Sequence, residues 1–417
     1  MMNKIIYKHF PALTYRDYWL FWTGQCISLI GTWMQTVGQA WLVYQITDSS
    51  YKLGIISALQ FMPMLLFSLP VGAIIDRQAK KRLLFIVQAI MAVNALVLAL
   101  LVWTGLVSYR TIALQAILLG ILNCIDMPVR QSFMVELASR EHLMNAIALN
   151  STIFNAARVI GPAVAGLAFS YFGATVCFLM NGLSFIPVLY NISRIQAEGK
   201  SKITDGERVN IYHEIWEGLK YIAGNPVVNT TILMLAFSNI IILNFNVLIP
   251  VMAKTVLMGD SRTYGFLLTA LGLGAFTGAL LMAATSYKGL KIKSLMGAYM
   301  CLSIFVFITG FQTEFLYAFI ALMLSGWWMT TALSSSNTCI QTNSPDNMRG
   351  RIMSVYTLVQ GGAVPFGSMY SGILTEHFGV GFTFRASGLA GMVFMLAVIA
   401  FRYKLIAGRR AEERSAI

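Results

Sequence analysis

Asp126 and Arg158 are charges inside stretches otherwise apolar enough to lie buried or against lipid, and Arg130 follows one turn beyond Asp126. Placing an ion in hydrocarbon costs at least ~2.5–3.5 kcal/mol and calls for a partner or a wet cavity. Asp126 and Arg130 stand four apart with the acid first, the favourable order for a helical ion pair, although Pro128 between them distorts that turn. Arg158 lies about 15 residues into the next apolar run, near mid-bilayer at ~1.5 Å per residue, where it could reach Asp126 from the adjacent helix. Two chemistries fit. One is an ion pair that locks two helices together; the other is a carboxyl that exchanges a proton as a cavity opens and closes. The sequence leaves both open.

Uncharged polar residues form a second group. In the stretch "GQCISLIGTWMQTVGQAW" (24–41), Gln25, Ser28, Thr32, Gln35 and Gln39 fall within about 80° of one another at helical spacing. Gly24, Gly31 and Gly38 form a stripe beside them. The polar stripe is expected to face a cavity, and the glycines to let a neighbouring helix pack close. Asn123, Asn155, Asn244, Asn337 and Gln360, with Asn239 and Asn246, are further candidates for the lining. For any one of them an interhelical hydrogen bond is an equal alternative. None carries a charge, so this group can help choose a ligand but cannot carry a proton.

The elements that must position these side chains follow from composition. Of 417 residues 57% are hydrophobic and 11% charged, against about 25% charged in a soluble domain. The mean hydropathy is +0.69. Continuous apolar runs of roughly 20 residues recur along the chain, each enough to cross a ~30 Å hydrocarbon core as a helix. Twelve spans are expected, at 18–45, 52–75, 82–104, 109–135, 143–170, 174–193, 227–252, 263–285, 294–311, 315–341, 350–375 and 382–402. Counted with the adjoining span ends, the segments 1–16, 76–82, 130–140, 194–220, 286–293, 349–351 and 402–417 hold 24 Lys and Arg, and the alternate segments hold five. The positive-inside rule makes the first set cytoplasmic, with both termini. The net charge of +13 thus reports topology and gives no reason to invoke nucleic acid. The N-terminal "MMNKIIYKHFPALTYRD" precedes a span longer than a signal-peptide core, so the first helix is expected to be retained. The five cysteines lie in spans without metal-like spacing, and they read as small packing residues. The four histidines (His9, His142, His213 and His377) fall in loops or at helix ends, and no nucleophile–base pair is visible.

The longest polar stretch, 194–226, divides the spans six and six. The expected organisation is therefore an N-terminal six-helix bundle (1–193), a cytoplasmic linker (194–226), and a C-terminal six-helix bundle with a short cytoplasmic tail (227–417). Within the linker, Ile211, Ile215, Leu219 and Ile222 recur at helical spacing, an amphipathic helix on the inner surface. "SREHLMNAIALNSTI" (139–153) aligns weakly with "SPDNMRGRIMSVYTL" (344–358) at an offset of 205, each joining the fourth and fifth spans of its half. Two parallel six-helix repeats describe a standard transporter architecture, with the substrate route between the halves.

"GAIIDRQAKKR" (72–82) closes the second span. It resembles the G-x-x-x-D-R-x-G-R-[KR] signature of the major facilitator superfamily, with Ala79 in place of the second glycine. The resemblance implies a gating role for Gly72, Asp76, Arg77, Lys80 and Lys81, with the basic cluster expected to hold the turn to anionic headgroups. "DMPVRQSFMVELASREHLMNAIALNSTIFNAARVIGPAVAG" (126–166), "EGLKYIAGNP" (217–226) and "NTCIQTNSPDNMRGRIMSVY" (337–356) resemble the branch containing enterobactin exporters and macrolide efflux proteins. Gly161, Pro162 and Gly166 are similar to the fifth-span motif associated with antiporters there; the alternative is generic helix packing.

These resemblances imply an all-α membrane protein with the twelve-helix major facilitator fold, working as a monomer in the bacterial inner membrane. The function implied is export of a small to medium organic molecule, siderophore- or drug-like, coupled to protons. Uptake of a siderophore or nutrient is the alternative, and a non-transporting sensor or enzyme a remote one. "GLGAFTG" (272–278) lies within a span and reads as helix packing rather than a phosphate loop, so no nucleotide, metal or other cofactor is called for.

Overall fold

A computed structural model of the chain describes residues 10–75, 78–199, 211–285, 292–345 and 348–415. Among them there is no strand. After a short 3-10 turn come α1 (Arg16–Thr47), α2 (Ser50–Ile75), α3 (Lys80–Trp103), α4 (Tyr109–Leu137), α5 (Leu143–Phe172) and α6 (Ala174–Arg194). A separate helix, α7 (Ile211–Gly224), leads into α8 (Pro226–Ile241), α9 (Phe245–Thr255), α10 (Ser261–Thr285), α11 (Ile292–Thr309), α12 (Phe315–Thr342), α13 (Arg349–Gly362), α14 (Val364–Phe378) and α15 (Val380–Ser415).

Ten stretches among the described residues are long and apolar enough to cross a membrane, with α8 and α9 counted as one. The expected first and eleventh spans are not in that set. The first, α1, is diluted by its polar stripe, and the eleventh is split into α13 and α14, each too short alone.

Both helix breaks have local causes. Pro365 opens α14 and has no N–H to donate, so the ladder is interrupted after Gly362. Between α8 and α9, Asn244 donates its amide to the Ile240 carbonyl at 2.8 Å, satisfying one of the acceptors the break frees. Gly367 makes that break possible. A methyl group there would lie 2.4 Å from Asn244 Oδ1 and 2.6 Å from the Asn239 carbonyl oxygen.

In the first half α1 packs on α5 and α6, α2 on α4, and α3 on α4 and α6; in the second, α12 packs on α10 and α11, and α11 on α15. Two seams join the halves, α5 with α10 and α2 with α14. Each seam is a crossing of glycines, where backbones meet because no side chain intervenes. A methyl on Gly54 of α2 would lie 2.5 Å from the Ser368 carbonyl oxygen and 3.2 Å from Gly372 Cα. One on Gly265 of α10 would lie 2.5 Å from the Pro162 carbonyl oxygen and 2.8 Å from Gly166 Cα. Both crossings sit toward the end of the bundle opposite the basic loops, here called the far end.

At the basic end, residues 195–199 lie across the first half. Asp17 accepts from the backbone of Gln196 (3.0 Å) and Ala197 (2.9 Å), and the backbone amides of Lys80 and Lys81 donate to Gly199 and Glu198. Residues 200–210 of the linker lie outside the described residues. Helix α7 packs on α13, where Glu217 pairs with Arg351 and Tyr221 donates to the Asn343 carbonyl at 3.2 Å.

Candidate functional site

A cavity of about 260 Å³ lies at the middle of the bundle. Helix α1 contributes Leu29, Thr32, Trp33, Thr36, Gln39 and Ala40, and α2 contributes residues from Leu53 to Met64 that include Ser57 and Gln60. Helix α4 adds Gly120, Asn123, Cys124 and Met127, and α5 adds Phe154. The second half supplies Asn246 of α9 and Tyr264 of α10. The walls are therefore mostly apolar, with a few hydroxyls and amides spaced among aromatic rings, the composition of an organic-ligand site.

Helix α1 is rotated relative to the sequence expectation. Its cavity face is displaced by about 60° from the centre of the polar stripe, because the glycine stripe fixes its contact with α6. Methyls on Gly24, Gly31 and Gly38 would lie 3.2, 2.4 and 3.0 Å from atoms of Val188, Ser184 and Cys177. Thr32 and Gln39 consequently line the cavity, whereas Gln35 accepts a hydrogen bond from Asn181 of α6. Ser28 is buried, and Gln25 is buried with neither amide atom bonded to protein.

The remaining lining candidates divide in the same way. Asn123 and Asn246 face the cavity. Asn155 donates to the Ser151 carbonyl of its own helix at 2.8 Å, Asn244 serves the α8–α9 break, and Asn337 accepts from Gln341 at 2.5 Å. Gln360 is half-buried beside the α13–α14 break, outside the lining.

Asp126 is buried, and its carboxylate pairs with Arg130 and accepts from Gln88 Nε2 of α3 at 3.0 Å. The same turn of α4 turns Asn123, Cys124 and Met127 to the cavity, so the acid stands directly behind the cavity wall. Gln88 Oε1 and Arg130 Nε are buried beside it without a protein partner. Gln88 was missed in the sequence; its signal was an amide in mid-span.

Arg158 does not reach Asp126. Consecutive helices α4 and α5 barely touch, since α5 is held between α1 and α10. Its guanidinium points into the second half instead, Nη2 lying 3.9 Å from Met329 Sδ of α12.

Lys80 and Lys81 are also not where headgroup binding requires them. Lys80 is buried and pairs with Glu136 of α4, and Lys81 Nζ donates to the Ile195 carbonyl at 2.5 Å. Residues 195–199 cover Lys80, while Lys81 stays half-buried at the edge of that segment. Asp76 and Arg77 lie outside the described residues, and Gly72 falls in the last turn of α2. Gly161 packs on α1, where a methyl would lie 2.4 Å from Trp33 Cβ, and Pro162 and Gly166 form the seam with α10.

The far end of the cavity is closed by contacts between the halves. Trp41 and Tyr264 stack with centroids 5.7 Å apart and planes at 17°. Glu376 of α14 accepts from Ser50 Oγ (2.9 Å) and the Tyr51 backbone amide (3.2 Å), capping the N-terminus of α2 from the opposite half. Lys254 pairs with Asp48 at 2.8 Å, and Arg262 donates to Ser170 at 2.6 Å. None of these contacts was singled out in the sequence, because each joins residues about 90 to more than 300 positions apart.

Residues 9–416 match the family described as transmembrane secretion effector. The staphyloferrin A transporter of Staphylococcus aureus (strain NCTC 8325 / PS 47) is 25% identical, over 92% of this chain and 96% of its own. The multidrug efflux pump Tap of Mycolicibacterium fortuitum is 24% identical, over 89% and 91%. Among solved structures, a bacterial homolog of the human lysosomal transporter Spinster superposes with a TM-score of 0.72 at 14% identity, over 93% of this chain and 96% of that one. At such identity the likeness speaks for the fold alone.

Proposed function

The chain belongs to the transmembrane secretion effector family of the major facilitator superfamily, and we propose that it is a proton-coupled exporter of a small to medium organic molecule, siderophore- or drug-like. Its relatives are transporters, which sets the enzyme reading aside. The observation that carries the reading is the central cavity, reached from both halves and closed at the far end by contacts between them. A cavity sealed at one end by a parting seam is what alternating access requires.

The excess of Lys and Arg at the basic end supports a cytoplasmic placement of that end and both termini, with twelve spans in the bacterial inner membrane. The protein then works as a monomer, and the far-end seal makes this arrangement inward-facing. Release to the outside breaks the Trp41–Tyr264 stack, the Glu376 cap and both glycine crossings, while the motif from Gly72 to Lys81 closes the inner end.

Asp126 is the residue suited to couple protons. It is the carboxylate that stands behind the cavity wall in mid-bundle, and Gln88 and Arg130 beside it hold buried polar atoms that ordered water would satisfy. Protonation would release Arg130 and free α4 to turn. The test of direction is accumulation of labelled macrolide and iron-free siderophore probes. Export predicts proton-driven uptake into inside-out vesicles and reduced retention in intact cells; accumulation by intact cells alone would establish uptake instead.

A further inference from the structure

Among the described residues Arg158 has no ionic counterpart. The turn that carries it is clamped in the α5–α10 seam: the Val159 carbonyl accepts from Thr269 at 3.3 Å, and a methyl on Gly272 would lie 2.8 Å from the carbonyl oxygen of Arg158 itself. The guanidinium is part-buried and extends to Met329 of α12. A thioether is a weak acceptor and offers no charge. Among the described residues no carboxylate lies within ion-pair distance. Asp126 is held by Arg130, while Asp48, Asp260 and Glu376 are engaged at the far end. Mid-bundle depth also places the group away from lipid phosphates.

A cation largely buried between the two halves with no counter-charge is costly unless a ligand completes it. A guanidinium presents a planar fork that matches a carboxylate in two parallel hydrogen bonds. Phe154, one turn earlier on α5, lines the cavity, and Arg158 stands one turn further along the same helix, just outside that lining. We infer that Arg158 is the anion anchor of the transport site and that the exported molecule bears a carboxylate. The inference rests on the transport reading and adds the charge class of the cargo. Because the fork lies between a helix of each half, a bound carboxylate would also be felt by both.

The test is thermal-shift and calorimetric titration of the purified full chain with citrate, salicylate and cholate, each against its neutral ester. At least one acid is expected to bind and stabilise the wild type while its ester does not. Arg158→Gln is expected to weaken that binding by about tenfold to a hundredfold, the range for a charge-assisted pair, and Arg158→Lys by less. Met329→Glu supplies an internal carboxylate, so it should keep the fold and abolish acid binding. Equal binding of acid and ester, equal binding by wild type and Arg158→Gln, or no binding of any of the three acids to the wild type would overturn the assignment. Acid binding without any transport in proteoliposomes would break the transport reading alone; gradient-driven export of a neutral compound unaffected by Arg158→Gln would break the anchor alone.

Discussion

Gly54→Val tests the seam directly. A methyl at position 54 already falls 2.5 Å from the Ser368 carbonyl oxygen and 3.2 Å from Gly372 Cα, both backbone atoms that cannot rotate aside. The branched side chain therefore forces α2 and α14 apart in the sealed arrangement, at the ~1–3 kcal/mol typical of overpacking. In the arrangement open at the far end the two helices have separated, and the side chain meets little. The whole cost falls on one state, so the ratio of far-end-open to sealed molecules should rise about 5- to 150-fold. The assay replaces the five native cysteines with alanine, places a cysteine at the cavity residue Thr36, and measures its reaction with an impermeant thiol reagent supplied from the far side. Labelling should accelerate by that factor in Gly54→Val relative to Gly54. An unchanged rate in a folded protein would show that the α2–α14 crossing does not part during the cycle.

Three further outcomes follow from the same contacts. Glu376→Gln removes the charge that caps α2 from the opposite half while keeping an acceptor; helix-terminal charges are worth ~0.3–1 kcal/mol, so far-side labelling of the Thr36 cysteine should rise up to about fivefold, and a fall would reverse the assigned role. Lys254→Ala breaks an exposed pair whose acid is 77% accessible, so labelling and stability should change by less than about 1 kcal/mol; a large shift would mean the pair is a principal latch. Glu136→Gln leaves the buried ammonium of Lys80 without its carboxylate. Full burial would cost ~3–5 kcal/mol, but Glu136 is 32% accessible, so a loss of about 1–3 kcal/mol in thermal stability is expected, and an unchanged melting temperature would contradict the pairing.

Most of the helical layout is legible in the sequence because lipid enforces it: apolar run length is a strong constraint, and eleven of the twelve expected spans end within a few residues of the helices. The exception is the last, where α15 continues to Ser415, past the apolar run that ends near 402. The two breaks were not anticipated, although Pro365 and Asn244 were in view, because an interrupted helix is tolerated only where another chain segment satisfies it, and Gly367 sits more than a hundred residues from Asn244. Polarity within a span proved less specific. Thr32 and Gln39 face the cavity while Gln35 bonds to α6, since a helix wheel defines angles within one helix but not the direction of its neighbours. Asp126 and Arg130 are paired as their spacing suggests. The reach from Arg158 to Asp126 that the sequence allows does not occur, because adjacency in sequence is not adjacency in a bundle where α5 is held by α1 and α10. The seal at the far end was invisible to composition, being made of ordinary loop and helix-end residues brought together by the seams.

Proton-driven export through the cavity is tested most directly by Asp126→Asn in proteoliposomes, using whichever probe the inside-out vesicles accumulate. The substitution keeps an acceptor for Gln88 and removes the proton site. The expected result is loss of transport driven by a pH gradient, with exchange of labelled for unlabelled probe across the membrane retained. Full gradient-driven transport with its pH dependence intact in Asp126→Asn would contradict Asp126 as the coupling residue.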